Sequence, residues 1–200
     1  MTEQRKSDLT RRKILTAGQD LVRRHGFGAV GLSRILSESG VPKGSFYYYF
    51  SSKEAFGQAL LQDYVDQYLL RIDALFDGPG SAGDRLLKFW SAWLAEGRTE
   101  GIAQQCLVVK LGAEVADLSE GMRHTLDEGV SQLLRRVSAV LAQGVDDGSI
   151  RRFDDPDATA RMLYAKWLGA AILVKLSGEQ TPLQQALADT VHALSPENKL

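Results

Sequence analysis

Residues 31–56 read GLSRILSESGVPKGSFYYYFSSKEAF, and few folds accommodate such a run. Leu32, Ile35, Leu36 and Ser39 recur at i, i+3, i+4 and i+7, which is one face of a helix. Gly40 stands where that helix needs a left-handed residue to stop. Val41 is placed to staple the entry of a second helix, and Pro42 opens it with φ already set. On the second helix Phe46 and Phe50 lie one turn apart and turn inward together. Tyr47, Tyr48 and Tyr49 cannot all follow them, because successive helical residues point about 100° apart. A short helix, a glycine turn and a second short helix make a helix-turn-helix, whose second member enters a groove of duplex DNA.

The outward face of that second helix carries Gly44 and Tyr48 at its centre, flanked by Lys43 and Tyr47 on one side and Ser45 and Tyr49 on the other. Glycine admits close approach to a phosphate or base edge. Tyrosine hydroxyls and the Lys43 ammonium suit phosphate oxygens, and Tyr48 is positioned for a base or a thymine methyl. Lys53 adjoins the start of the next helix, whose free N–H groups attract a phosphate as well. Charge agrees with this reading. Residues 1–53 hold ten Lys/Arg against four Asp/Glu, a net +6, and the remaining residues hold fourteen against twenty-one, a net −7. A basic head on an acidic body is the electrostatic footprint of a nucleic-acid-binding end joined to something that does not touch nucleic acid.

The rest of the chain has helical periodicity almost throughout, so the expected fold class is all-α with about nine helices. The spacing predicts helices over about Ser7–His25, Lys53–Phe76, Asp84–Glu96, Ala103–Asp117, Ser119–Gln143, Pro156–Leu176 and Thr181–Leu194 around the reader pair. The DGPGS breaker at Asp77–Ser81, the Gly97–Gly101 loop and the turn-rich stretch from Gly144 to Pro156 separate them. Two domains are expected: residues 1–53 as a helix-turn-helix DNA-binding head, and residues 54–200 as an effector-sensing and dimerisation body. The start MTEQRKSDLTRRK is polar, and the apolar stretch Met162–Leu176 is interrupted by Lys166 and Lys175 and too short to span a bilayer. A cytoplasmic protein with no membrane partner is the expectation. His25, His124 and His192 are far apart and out of metal-ligand spacing, and no glycine-rich phosphate loop occurs. No metal, cofactor or catalytic residue is therefore expected, and enzyme function is not.

The basic first helix, GF at Gly26–Phe27, SGVPKGSFYYYF at Ser39–Phe50 and SKEAF at Ser52–Phe56 together resemble the TetR family of one-component repressors. The resemblance implies a three-helix DNA-binding head on a larger helical ligand-binding and dimerisation body, and assigns operator contacts to Lys43, Gly44, Ser45, Tyr47, Tyr48, Tyr49 and Lys53. One departure is Leu36, where the family more often has alanine. The stretches CLVVKLGAEVADLSEGMR at Cys106–Arg123 and LYAKWLGAAILVKLS at Leu163–Ser177 resemble the NemR-like branch, which responds to reactive electrophiles and oxidants. That likeness implies Cys106 as the sensing thiol and Lys175 as its neighbour.

The residues themselves leave two readings of Cys106 open. It falls in the first turns of an expected helix, where unpaired N–H groups favour a thiolate, with Lys110 at i+4. Equally, a single cysteine among apolar residues is an inert core side chain in a repressor that binds its ligand without a covalent bond. Tyr64, Tyr68, Phe89, Trp90, Trp93 and Trp167 are candidates to line an effector pocket, against the alternative that they are core. The last two helices are the expected homodimer seam, with LGAA at Leu168–Ala171 allowing close approach and Leu163, Leu168, Ile172 and Leu176 around it. Two reading helices would then meet successive grooves of operator DNA about 34–36 Å apart, and an inducer would shift that spacing.

Overall fold

The computed structural model describes residues 3–94 and 100–196, and among these every regular element is helical. Ten helical segments follow one another: α1 (Glu3–His25), α2 (Leu32–Ser39), α3 (Lys43–Tyr49), α4 (Lys53–Phe76), α5 (Ala82–Ser91), α6 (Ile102–Gln105), α7 (Leu107–Leu118), α8 (Glu120–Asp146), α9 (Pro156–Ser177) and α10 (Thr181–Leu194). The all-α expectation holds. The tenth segment arises because the expected helix over Ala103–Asp117 is broken at Cys106, which takes extended angles (φ −65°, ψ 115°) between α6 and α7. The expected end of a helix at Glu96 and most of the Gly97–Gly101 loop lie outside the described residues. α1 begins at Glu3, four residues before the expected Ser7.

Two compact units emerge from the contacts, one comprising residues 1–67 and 110–129, the other residues 68–109 and 130–200. The first is organised around three phenylalanines. Phe46, Phe50 and Phe56 pack with ring centroids 5.2–5.5 Å apart, and each is nearly or fully buried. Ile14, Leu21, Val22, Ile35 and Val41 are buried in the same unit. Gly40 adopts the left-handed angles its place after α2 demanded (φ 63°, ψ 26°), and both its N–H and that of Val41 return to the Leu36 carbonyl. Pro42, at φ −60°, is the residue just before α3 and not its first turn.

In the second unit the starts of α5 and α9 are capped by side chains. Ser81 and Asp84 form a reciprocal capping box at α5, the device that satisfies two orphan N–H groups at once. Asp155 accepts from the Ala158 N–H and Pro156 opens α9. The core of this unit is aromatic. Trp90 stacks on Trp167 at 5.0 Å and 19°, with Phe89 and Trp93 against them. Asp73 and Arg136 join α4 to α8 through two parallel bonds of 2.5 and 3.0 Å. The guanidinium, chiefly by that hydrogen bonding, holds the Asp73 carboxyl below its ordinary range.

Candidate nucleic-acid interface and sensing residues

α3 is amphipathic in the sense the sequence required. Phe46 is 0% exposed and Tyr48, two residues on, is 78% exposed. Lys43, Gly44 and Tyr47 are also exposed, while Ser45 and Tyr49 are half-buried at the flanks. Tyr48 is braced edge-on by the Tyr49 ring at 5.0 Å, and Tyr47 lies edge-on to Phe46 at 5.6 Å. A side chain added at Gly44 would meet nothing within 4 Å, so the front of the helix is open. The helix therefore offers two anchored aromatic hydroxyls, a hydroxymethyl and an ammonium around a bare patch of backbone. Such a set hydrogen-bonds phosphate and leaves room for the rim of a base.

Lys53 differs from the rest. It is half-buried, with Nζ 4.8 Å from the Phe27 ring centroid and a long 3.4 Å bond to the Gly28 carbonyl. The ammonium is thus partly engaged within the first unit. Two basic groups that pattern reading passed over sit in the same unit: Arg11 lies over the Phe50 ring at 5.5 Å, and Arg34 donates to the imidazole of His25 at 2.9 Å. The only hint of them in the sequence is the excess of positive charge before residue 54.

Another set was missed altogether. The α7 carboxylate of Glu114 accepts from the N–H groups of Phe27 and Gly28 at 3.1 and 2.6 Å, and the Lys110 ammonium donates to the Arg23 carbonyl. By spacing, Lys110 is the cation at i+4 from Cys106. Its recorded bond is to the last turn of α1 instead.

Cys106 is buried, 4% exposed, as a thiol outside any disulfide, at the one extended residue between α6 and α7. Tyr68 and Tyr164 are close enough to feel its charge. Burial, and secondarily Cys106, pushes both phenols well above the ordinary tyrosine range, so both keep their O–H at neutral pH. Lys175 is exposed in the last turn of α9. Of the candidate pocket residues, Phe89, Trp90, Trp93 and Trp167 are each 0% exposed and pack ring on ring. Trp167 donates to Thr190 Oγ1 at 3.0 Å, whereas the indole N–H groups of Trp90 and Trp93 find no acceptor among the described residues. Tyr64 is buried in the first unit and Tyr68 half-buried in the second. A cavity of about 180 Å³ lies between the start of α5, the residues after α8 and the end of α10. Trp90 alone of the candidate set contributes to its wall.

α9 separates its faces sharply. Leu163, Tyr164, Trp167, Ala170, Ala171 and Val174 are buried, while Met162, Gly169, Ile172, Leu173 and Leu176 are exposed, Leu176 at 79%. This corrects the seam as read from sequence. Leu163 and the two alanines of LGAA face the aromatic core, because helical spacing places them with Trp167. The outward stripe is Met162, Ile172, Leu173 and Leu176. No helix among the described residues is long and apolar enough to cross a membrane, and no cluster of metal-ligating side chains occurs among them.

Residues 14–60 match the profile described as "Bacterial regulatory proteins, tetR family", and residues 82–190 match "Tetracyclin repressor-like, C-terminal domain". The HTH-type transcriptional repressor NemR of Escherichia coli is 41% identical over 180 residues, covering 90% of each chain. The HTH-type transcriptional repressor DhaR of a Mycobacterium species (strain GP1) is 30% identical over 94% of each. The crystal structure of reduced Escherichia coli NemR superposes with a TM-score of 0.87 at 39% identity, spanning 94% of this chain and 99% of that one. These relatives are transcriptional regulators and not enzymes.

Proposed function

Since the chain belongs to the TetR family of bacterial transcriptional regulators, we propose that it is a homodimeric, cytoplasmic repressor whose grip on operator DNA is released by a reactive electrophile acting at Cys106. The observation that carries the DNA reading is the pairing of Phe46 at 0% and Tyr48 at 78% exposure on one short helix. That contrast makes α3 a reading helix held by its phenylalanines. Lys43, Tyr47, Tyr49 and Lys53 contact phosphates, Gly44 and Ser45 let the backbone come close, and Tyr48 meets a base edge. The exposed stripe of α9 is an apolar surface suited to the same stripe on a second copy. A twofold pair carries two reading helices, which multiplies the affinity of a small head.

Signal chemistry at Cys106 is addition. The sulfur lone pair attacks the β-carbon of an α,β-unsaturated carbonyl, a C–S bond forms, and the thiol proton ends on the α-carbon. No leaving group or outside reductant is needed. Tyr68 and Tyr164, both kept protonated chiefly by burial, belong to the surroundings of the thiol electrostatically. Lys175 is the neighbour that the resemblance assigns to this thiol, a second nucleophile for the same signal. The second reading, a repressor with a non-covalent ligand, draws on the burial of Cys106 among apolar neighbours and on the unpartnered indole N–H groups of Trp90 and Trp93.

Fluorescence anisotropy against duplexes selected from a random pool, with and without N-ethylmaleimide, tests both. Specific binding that the reagent abolishes in the wild type and spares in Cys106→Ser supports the first reading. Release that survives Cys106→Ser favours the second. Failure to select any preferred duplex sinks the account of α3.

A further inference from the structure

We propose that Lys110 and Glu114 of α7 form a latch on the α1–α2 turn that carries signal to the reading helix, so that breaking it preserves operator binding and removes its regulation. This rests on reading the chain as a signal-responsive regulator. The physical basis is the end of α1. A helix leaves its last carbonyls without intrahelical donors, and its negative dipole end favours a cation. Lys110 donates to the Arg23 carbonyl in that last turn. Beyond it the chain turns through Gly26 at φ +83° and presents the N–H groups of Phe27 and Gly28, both taken by the Glu114 carboxylate. One helix thus completes the end of another with a cation and an anion four residues apart, on the same face.

The turn is shaped for this contact. A Cβ at Gly26 would stand 3.0 Å from the Glu114 carboxylate, and one at Gly28 3.1 Å from it. On its other side the turn meets Lys53, the first residue of α4, through the Gly28 carbonyl and the Phe27 ring. The latch therefore holds the end of α1 and the turn that itself meets the start of α4. Along α7, the first three residues group with the second unit and Lys110 onward with the first, and the helix starts at the residue after Cys106. A brace needed only for folding would not have to lie on the helix that begins there.

Full-length protein and a selected duplex supply the test, read by hydrogen exchange with mass spectrometry. Operator DNA is expected to slow exchange in residues 107–118 of the wild type. In Glu114→Gln, and separately in Gly28→Ala, that remote protection should vanish. Residues 31–50 should stay protected and the operator Kd should stay within about threefold, below the 5–150-fold range of coupled sites. Lys110→Met is expected to behave alike. Release by N-ethylmaleimide should shrink in the same variants. Remote protection that persists in the variants, or operator affinity that falls in step with thermal stability, overturns the latch. A wild type that binds DNA with no protection of residues 107–118 overturns it too. A wild type that prefers no duplex at all refutes the parent reading instead. Indifference of wild-type binding to N-ethylmaleimide refutes only the thiol, and the exchange result still decides the latch.

Discussion

Phe46 and Tyr48 are neighbours but one on a seven-residue helix, and their removal should have opposite consequences. Phe46 is fully buried, in contact with Phe50 and Phe56 at 5.3 and 5.5 Å. Truncation to alanine loses the transfer free energy of the ring and leaves a hole that its neighbours can only partly fill, a cost of about 3–5 kcal/mol. For a chain of 200 residues each kcal/mol lowers Tm by about 2–4 °C, so Phe46→Ala should melt on the order of 10 °C earlier. Tyr48 is 78% exposed and its ring touches little besides Tyr49, so Tyr48→Ala should change stability by no more than about 0.5 kcal/mol. A base contact is worth about 1–3 kcal/mol, and a symmetric pair makes it twice. At about 1.4 kcal/mol per decade, the operator Kd should rise at least 30-fold while non-specific affinity hardly moves. Differential scanning fluorimetry and anisotropy titrations against selected and scrambled duplexes measure the two quantities on the same samples. If Tyr48→Ala melts as early as Phe46→Ala, or leaves sequence preference untouched, the assignment of faces on α3 is wrong.

Other consequences are equally direct. Lys43→Ala removes one phosphate contact per protomer, so the slope of log K against log salt should become shallower by about 1.8 for a dimer. Leu173→Glu or Leu176→Glu puts carboxylates into the outward stripe of α9, and sedimentation velocity should find monomers that no longer bind a two-half-site duplex. The Arg136 guanidinium holds the Asp73 carboxyl below its unfolded value near 3.8, so that stabilisation is complete above this pH and is lost as pH falls through the lower folded value. Urea midpoints should therefore drop more steeply between pH 5 and 3 for the wild type than for Asp73→Asn. The pair is partly exposed, which keeps the difference modest.

What could be read from the chain and what could not follows from the range of the interactions involved. The head was legible because its signals are local: Gly40 needs a left-handed turn, and Phe46 with Phe50 allows only one orientation of α3. α4 and α10 end where their breakers stand, at the expected residues. The break at Cys106 was not legible. Ala103–Asp117 has unbroken helical periodicity with no proline, and its one internal glycine, Gly112, lies beyond the break. The Ile102 and Ala103 N–H groups bond back to the carbonyls of Ala92 and Trp93, which fixes α6 through contacts remote in sequence. The same limit applies to α9. Its apolar residues encircle the helix, so the pattern does not separate the face that packs on Trp90 from the outward stripe. In the sequence Lys110 stands at i+4 from Cys106, and nothing marks Glu114. Only the fold brings them to Arg23, Phe27 and Gly28, 86 and 87 positions away.

Magnitudes indicate where a switch in such a molecule should lie. Releasing an operator 100-fold requires a differential of about 2.7 kcal/mol between binding and non-binding states. Repacking the Phe46–Phe50–Phe56 cluster would far exceed that, since each buried ring is worth about 3–5 kcal/mol on truncation. A signal routed through those rings would unfold the head sooner than turn it. Hydrogen bonds to charged groups contribute about 1.5–3 kcal/mol each. The two N–H groups on Glu114 and the carbonyl under Lys110 therefore lie in the right range to couple a signal to the head by that amount with the aromatic core intact, and their removal uncouples the two without itself releasing DNA. A regulator of this design should keep the near-ultraviolet circular dichroism of its packed rings on induction. Loss of that signal on treatment with N-ethylmaleimide would mean that release occurs by melting, and that the contacts at the α1–α2 turn are bystanders.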